Sequence, residues 1–104
     1  MKIKYYTNWS VFKPVKCIGV LKVVFKKNPK ETKSIYDAVE AGYYRSQGKW
    51  IRDDMSVIDG AFGENMDWFE ADEKEAKRAI KELDDSYRRR HEMVTDWKKR
   101  GKVK

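Results

Sequence analysis

The chain has 104 residues, with 24 Lys and Arg against 17 Asp and Glu, for a formal net charge of +7. Apolar residues make up 40% and aromatics 13%, which is enough to fill one core and excludes a collagen-like or fully disordered chain. The single Cys excludes an internal disulfide framework and a Cys-based structural zinc site, and the single His removes most metal and triad chemistries.

The longest apolar run near the start is Cys17 to Leu21, ended by Lys22. A signal-peptide core needs about 7–15 apolar residues and a membrane span about 20. The expectation is therefore a cytoplasmic protein with no leader and no membrane segment, in which Cys17 is a small buried hydrophobe. No linker composition or internal repeat divides the chain, so 1–104 reads as a single domain. Charge does divide it: residues 1–33 sum to +8, 34–75 to −7 and 76–104 to +6.

Strands are expected over 1–27. Ile3, Tyr5 and Thr7 alternate with Lys2, Lys4 and Tyr6, the period of a half-buried strand with the second set facing outward. Asn8 to Pro14 reads as a loop carrying Trp9, Val11 and Phe12. Val15 to Phe25 is β-branched and reads as a long strand antiparallel to the first. Its odd positions, including Cys17, Leu21, Val23 and Phe25, form the better core face. Its even positions mix Lys16, Lys22 and Lys26 with Ile18, Val20 and Val24, so something is expected to cover their middle.

A helix is predicted over 28–48. Asn28, Pro29 and Glu31 have the form of a helix start, with Ser34 and Asp37 as a rival start. Ile35, Ala38, Val39 and Tyr43 make its stripe, and Gly48 ends it. Residues 49–71 read as loop or short elements. Trp50-Ile51 suits a strand, whereas Ile51, Met55, Ile58 and Phe62 recur at helical spacing.

A long amphipathic helix is predicted over 72–100. Asp72 caps it, Glu75 completes a capping box, and Ala76, Ile80, Leu83, Tyr87, Val94 and Trp97 form a seam interrupted at Arg90. Glu73/Lys77, Arg78/Glu82, Asp84/Arg88, Asp85/Arg89 and Asp96/Arg100 stand four apart, as ion pairs on a helix do. At about 40 Å the helix should project beyond the sheet or bend, and its seam allows two chains to pair as a homodimer. The fold class expected is α+β: a small antiparallel sheet packed on one or two helices, with the long helix at the C-terminus.

Chemistry is poorly represented. The glycines lack phosphate-loop and dinucleotide spacings, no nucleophile elbow is present, and His91 sits among charges on a helix. No catalytic residues, cofactor or metal are expected. The acids Asp53, Asp54, Asp59, Glu64, Asp67, Glu70, Asp72 and Glu73 leave a metal-dependent enzyme as a secondary alternative. The stronger signal is basic. Lys4, Lys22 and Lys26 on the strands, and Arg88, Arg89, Arg90, Lys98 and Arg100 on the helix, are candidate contacts to a nucleic acid or other phosphate-rich ligand. The alternative is an inhibitor or adaptor of phage or mobile-element type, which blocks a larger protein through an acidic partner surface or an aromatic patch of Trp9, Phe12, Trp50 and Trp68.

Overall fold

Two antiparallel strands open the chain, as the alternation predicts: β1 (Lys2–Trp9) and β2 (Cys17–Phe25). The computed structural model describes residues 2–10, 15–63 and 68–102, with side chains through residue 90. Lys4 lies opposite Val23 and Tyr5 opposite Lys22. Near the end of β1 the register shifts, so that Asn8 faces Gly19 and Trp9 faces Cys17. Ile18 is the extra residue of this bulge. The bulge moves Cys17 onto the face of Val20, not that of Leu21 and Val23 as strict alternation implies.

The segment predicted as one helix over 28–48 is mostly strand. It holds a 3-10 turn (Pro29–Glu31), a single helical turn, α1 (Ile35–Ala38), and then β3 (Val39–Ser46). Both helix starts exist, because Asn28 and Ser34 each accept a backbone N–H. What ends the second is the pairing of β3 with β2: Ala41, Tyr43 and Arg45 share one face, while a bulge at Glu40 turns Val39 to the other, beside Phe25. Gly42 stands within β3 where Val57 approaches: a Cβ there would lie 2.8 Å from the Val57 Cβ. Gly48 is not a helix stop. With Gln47 at φ 55° and Gly48 at φ 73°, it makes the two-residue turn into β4 (Lys49–Arg52), and left-handed backbone at both positions is what a tight hairpin requires.

Within the stretch read as loop or short elements lie β4, α2 (Asp54–Phe62) and β5 (Phe69–Ala71). The sheet has five strands in the order β4-β3-β2-β1-β5, and every pairing is antiparallel. On one face, Tyr6, Leu21, Val23, Phe25 and Val39 pack against Val57 and Ile58 of α2, with Phe62 edge-on to Tyr6 at 5.4 Å. Tyr6 is therefore core, at 6% exposed, and not an outward neighbour of Lys2 and Lys4.

The opposite face receives α3 (Glu73–Lys102), the predicted long helix. The Asp72 carboxylate accepts the Glu75 N–H at 2.7 Å, as its cap role predicts. Ala79, fully buried, meets Cys17 and Val20, with Ile80 and Leu83 beside them. Small residues let the helix axis approach the sheet, and Ala79 was absent from the expected seam. Glu73 and Lys77 pair at 3.5 Å, but other helix acids turn elsewhere. Glu82 accepts the Cys17 N–H at 3.3 Å, Asp84 takes Arg45 from β3, and Arg88 pairs with Asp85 at 3.0 Å. The radius of gyration is 16.8 Å and the longest dimension 63 Å, against about 13 Å expected for the radius of a compact chain of this length. The projecting part of α3 accounts for the difference. The architecture is thus α+β, with short helices on one side of the sheet and the long C-terminal helix on the other. Among the described residues, no helix is long and apolar enough to cross a membrane.

Candidate nucleic-acid interface

The face that receives α3 is only partly covered. The helix packs on β1, β2 and β5 through Ala79, Ile80 and Leu83, at the end of the sheet where Trp9 and Cys17 pair. Toward the other end the face opens, and Ile3 there is 50% exposed.

Register gives this open half its character. Tyr5, Lys22, Tyr43 and Arg52 stand directly opposite one another on β1, β2, β3 and β4. They form one row across the sheet in which ring and cation alternate. Neighbouring strands are about 4.8 Å apart, so the row spans roughly 15 Å. Arg45 and Trp50 form the adjacent pair on β3 and β4. The Trp50 ring reaches back across the sheet, 6.3 Å from the Tyr5 ring.

The cations are held differently. The Lys22 ammonium lies 4.6 Å from the centres of both the Tyr43 and Trp50 rings. Burial, and then the nearby Arg45 guanidinium, hold its pKa below the usual lysine range. Among the described residues, Lys22 has no ion-pair partner. Arg45 lies 5.3 Å over Trp50 and makes two bonds to Asp84, and Arg52 is paired with Asp54 at 3.1 Å. Where β2 leaves the sheet, Lys2, Lys26 and Lys27 line an open hollow of about 290 Å³ with Phe25, Asn28 and Pro29. Lys2 and Phe25 pair on the α2 side, so the hollow borders the open half and is not part of it.

The predicted basic strand patch is therefore divided. Lys4 is on the α2 side, 3.3 Å from Glu70, because it pairs with Val23. Lys22 is on the α3 side, because it pairs with Tyr5. Lys26 is exposed past the end of β2. Arg88, Arg89 and Arg90 are exposed on α3, with Arg89 bonding the Asp85 carbonyl and Arg90 lining a groove beside Cys17 and Gln47. That groove and the lysine hollow stand at opposite ends of β2, roughly 25 Å apart at 3.3 Å per residue. The side chains of Lys98 and Arg100, and those of Val94 and Trp97 in the seam, lie outside the described residues.

Nor do the tryptophans make an exposed patch. Trp9 donates to the Thr7 hydroxyl at 3.0 Å and packs beside Leu83 and Ile80. Trp68 packs on the opposite core, so close to Gly19 that a Cβ there would lie 2.6 Å from its ring. Trp50 is half-buried against the Cys17, Val20 and Ala79 cluster and borders the open half through Lys22 and Tyr5, and Phe12 lies outside the described residues.

The acids have local structural roles. Asp53 and Asp72 cap α2 and α3, Glu70 pairs with Lys4, and Asp59 accepts the Tyr36 hydroxyl at 3.2 Å. Asp54 accepts from Arg52 and from the Gly42 N–H, and these bonds, Arg52 first, hold its carboxyl below the usual range. Glu64 and Asp67 lie outside the described residues. Among the described residues, no three His, Cys, Asp or Glu side chains come together as a metal site. Comparison with family models, curated proteins and solved structures found no match to this chain.

Sequence reasoning missed Tyr5, Tyr43, Arg45 and Arg52 as partners of Lys22. The alternation of Ala41, Tyr43 and Arg45 was the available signal, but it was masked by the helical spacing of Ile35, Ala38 and Val39.

Proposed function

We propose that the chain is a non-catalytic binding protein whose open sheet face accepts a nucleic acid or a comparable phosphate-rich polyanion. The observation that supports this is Lys22: a half-buried cation beside the open half of the face, flanked by two rings and, among the described residues, without a carboxylate partner. A phosphate oxygen supplies the charge that its surroundings withhold. Arg52 on β4 and the exposed Lys26 and Lys27, just past the end of β2, add positive charge around the open end of the sheet. Lys4 is not part of this surface.

The test is a titration with random-sequence nucleic acid at two salt concentrations. Four phosphate contacts on a single strand give a slope of about −3 in log affinity against log salt, from about 0.7 per contact. Charge reversal of Lys26 and Lys27 should flatten that slope, and reversal of Arg88, Arg89 and Arg90 should leave it unchanged. Absence of binding even at low salt rejects the proposal.

A second reading, the protein-directed inhibitor or adaptor, has its own supporting observation. Ile18 is 58% exposed and, with Tyr87 at 39%, lines the groove beside Arg90. In that case affinity for the partner depends on Ile18 and Tyr87, and Lys22→Gln has little effect on it.

A further inference from the structure

We infer that the polyanion is single-stranded, and that its bases stack on the row formed by Tyr5 and Tyr43 with Trp50 beside it; this rests on the polyanion reading proposed above. A sheet of five strands is too broad to enter a duplex groove, which admits a helix or a two-stranded ribbon. Against such a sheet a duplex presents only phosphates, and those engage Lys22, Arg52, Lys26 and Lys27 but leave the rings idle. A single strand offers base faces and phosphates together.

The row matches that combination. Rings on β1 and β3 flank the Lys22 position on β2, and Arg52 ends the row on β4. Bases laid on Tyr5 and Tyr43 bring the connecting backbone over Lys22. Stacking tolerates any base because each has a π-face, so the preference expected is for strandedness and not for sequence. The α3 helix, tied down by the Arg45–Asp84 contact, walls one side of the row and leaves the end of the sheet beside the exposed Ile3 as the way out for the strand.

The experiment measures fluorescence anisotropy with a mixed-sequence 12-nucleotide probe as single-stranded DNA, as single-stranded RNA and as blunt duplex DNA. The full chain is used at one low salt concentration, as wild type, Tyr43→Leu and Tyr5→Leu, each checked for native circular dichroism. At least one single-stranded probe is expected to bind about tenfold or more tighter than duplex. Tyr43→Leu should lower that single-strand affinity by about 5- to 100-fold and leave duplex affinity unchanged. The DNA and RNA arms show which sugar is preferred. Duplex binding equal to or tighter than both single strands overturns the inference while the polyanion reading stands. Single-strand preference that neither Tyr43→Leu nor Tyr5→Leu reduces also overturns it, by placing the stacking elsewhere. No binding of any probe overturns this inference and the proposed function together.

Discussion

Asp84 holds Arg45 by two parallel hydrogen bonds, Nε to Oδ1 at 3.1 Å and Nη2 to Oδ2 at 2.8 Å. The same Arg45 Nη2 donates to the Gly48 carbonyl at 2.8 Å, and its guanidinium lies over Trp50. One side chain thus joins α3, the β3–β4 turn and the margin of the open face. The two partners are only 16% and 29% exposed, so solvent screens them less than a surface pair. Asp84→Asn is expected to lower stability by about 1–3 kcal/mol in urea denaturation. The Arg45→Ala/Asp84→Asn double variant should lose less than the two single losses added together. Strict additivity would show that the pair contributes no coupling.

Helix α3 should be sensitive to enlargement at Ala79. That side chain is fully buried against Cys17 and Val20, and a leucine there has no space. Ala79→Leu is expected to cost about 1–3 kcal/mol, read as a lower urea midpoint. Leu83→Ala, at a half-buried position of the same face, should cost about 2 kcal/mol, the low end for such truncations. An unchanged midpoint in both variants would mean that α3 is not docked in solution.

Gly42 supplies a test of the opposite face. A methyl group at this position would meet the Val57 Cβ and Cγ1 at 2.8 and 2.9 Å, and Val57 is itself buried. Branched at Cβ and enclosed, Val57 cannot rotate away. Gly42→Ala is therefore expected to destabilise by about 1–3 kcal/mol, although alanine is otherwise tolerated in strands. Thermal melts of the two proteins decide it, and a gain in Tm would contradict the close approach of α2.

Tyr6 gives the protein an alkaline limit. Burial, with the Glu70 carboxylate adding to it, pushes the phenol up to about 12. An unfolded tyrosine ionises near 10, so below that pH both states are neutral and the contribution is fully present. Between about 10 and 12 the unfolded chain releases its proton first, and stability falls by at most about 2–3 kcal/mol. Urea midpoints at pH 9 and pH 11.5 should show a larger drop for wild type than for Tyr6→Phe. Equal drops would mean that the Tyr6 hydroxyl ionises as freely in the fold as outside it.

Much of the fold was legible because local signals agreed with tertiary ones. Asp72, the charge gradient and the seam defined α3, and alternation defined β1 and β2. The mixed even face of β2 predicts cover in its middle, and α3 supplies it over Val20. The segment from Val39 to Ser46 failed because Ile35, Ala38, Val39 and Tyr43 satisfy a helical period while Ala41, Tyr43 and Arg45 satisfy a strand period. Only the neighbouring edge of β2 decides between them, and that is not local information. The candidate interface was less legible. Lys4 and Lys22 each looked outward on its own strand, yet an even position of β1 pairs with an odd position of β2, so their sides differ. Two bulges, at Ile18 and at Glu40, shift the alternation again at the strand ends. Register is a property of the pair, and no single strand's pattern contains it.

This difference between Lys4 and Lys22 gives the most direct test of the central claim, that the open face beside α3 binds a polyanion. The measurement is the salt dependence of single-strand affinity for wild type, Lys22→Gln and Lys4→Gln, which remove the same charge from opposite faces. Lys22→Gln is expected to weaken binding and to reduce the slope by about 0.7, one phosphate contact. Lys4→Gln should leave the slope unchanged, because that ammonium is already paired with Glu70 on the α2 side. Equal slopes for wild type and Lys22→Gln, or a loss confined to Lys4→Gln, would contradict the account.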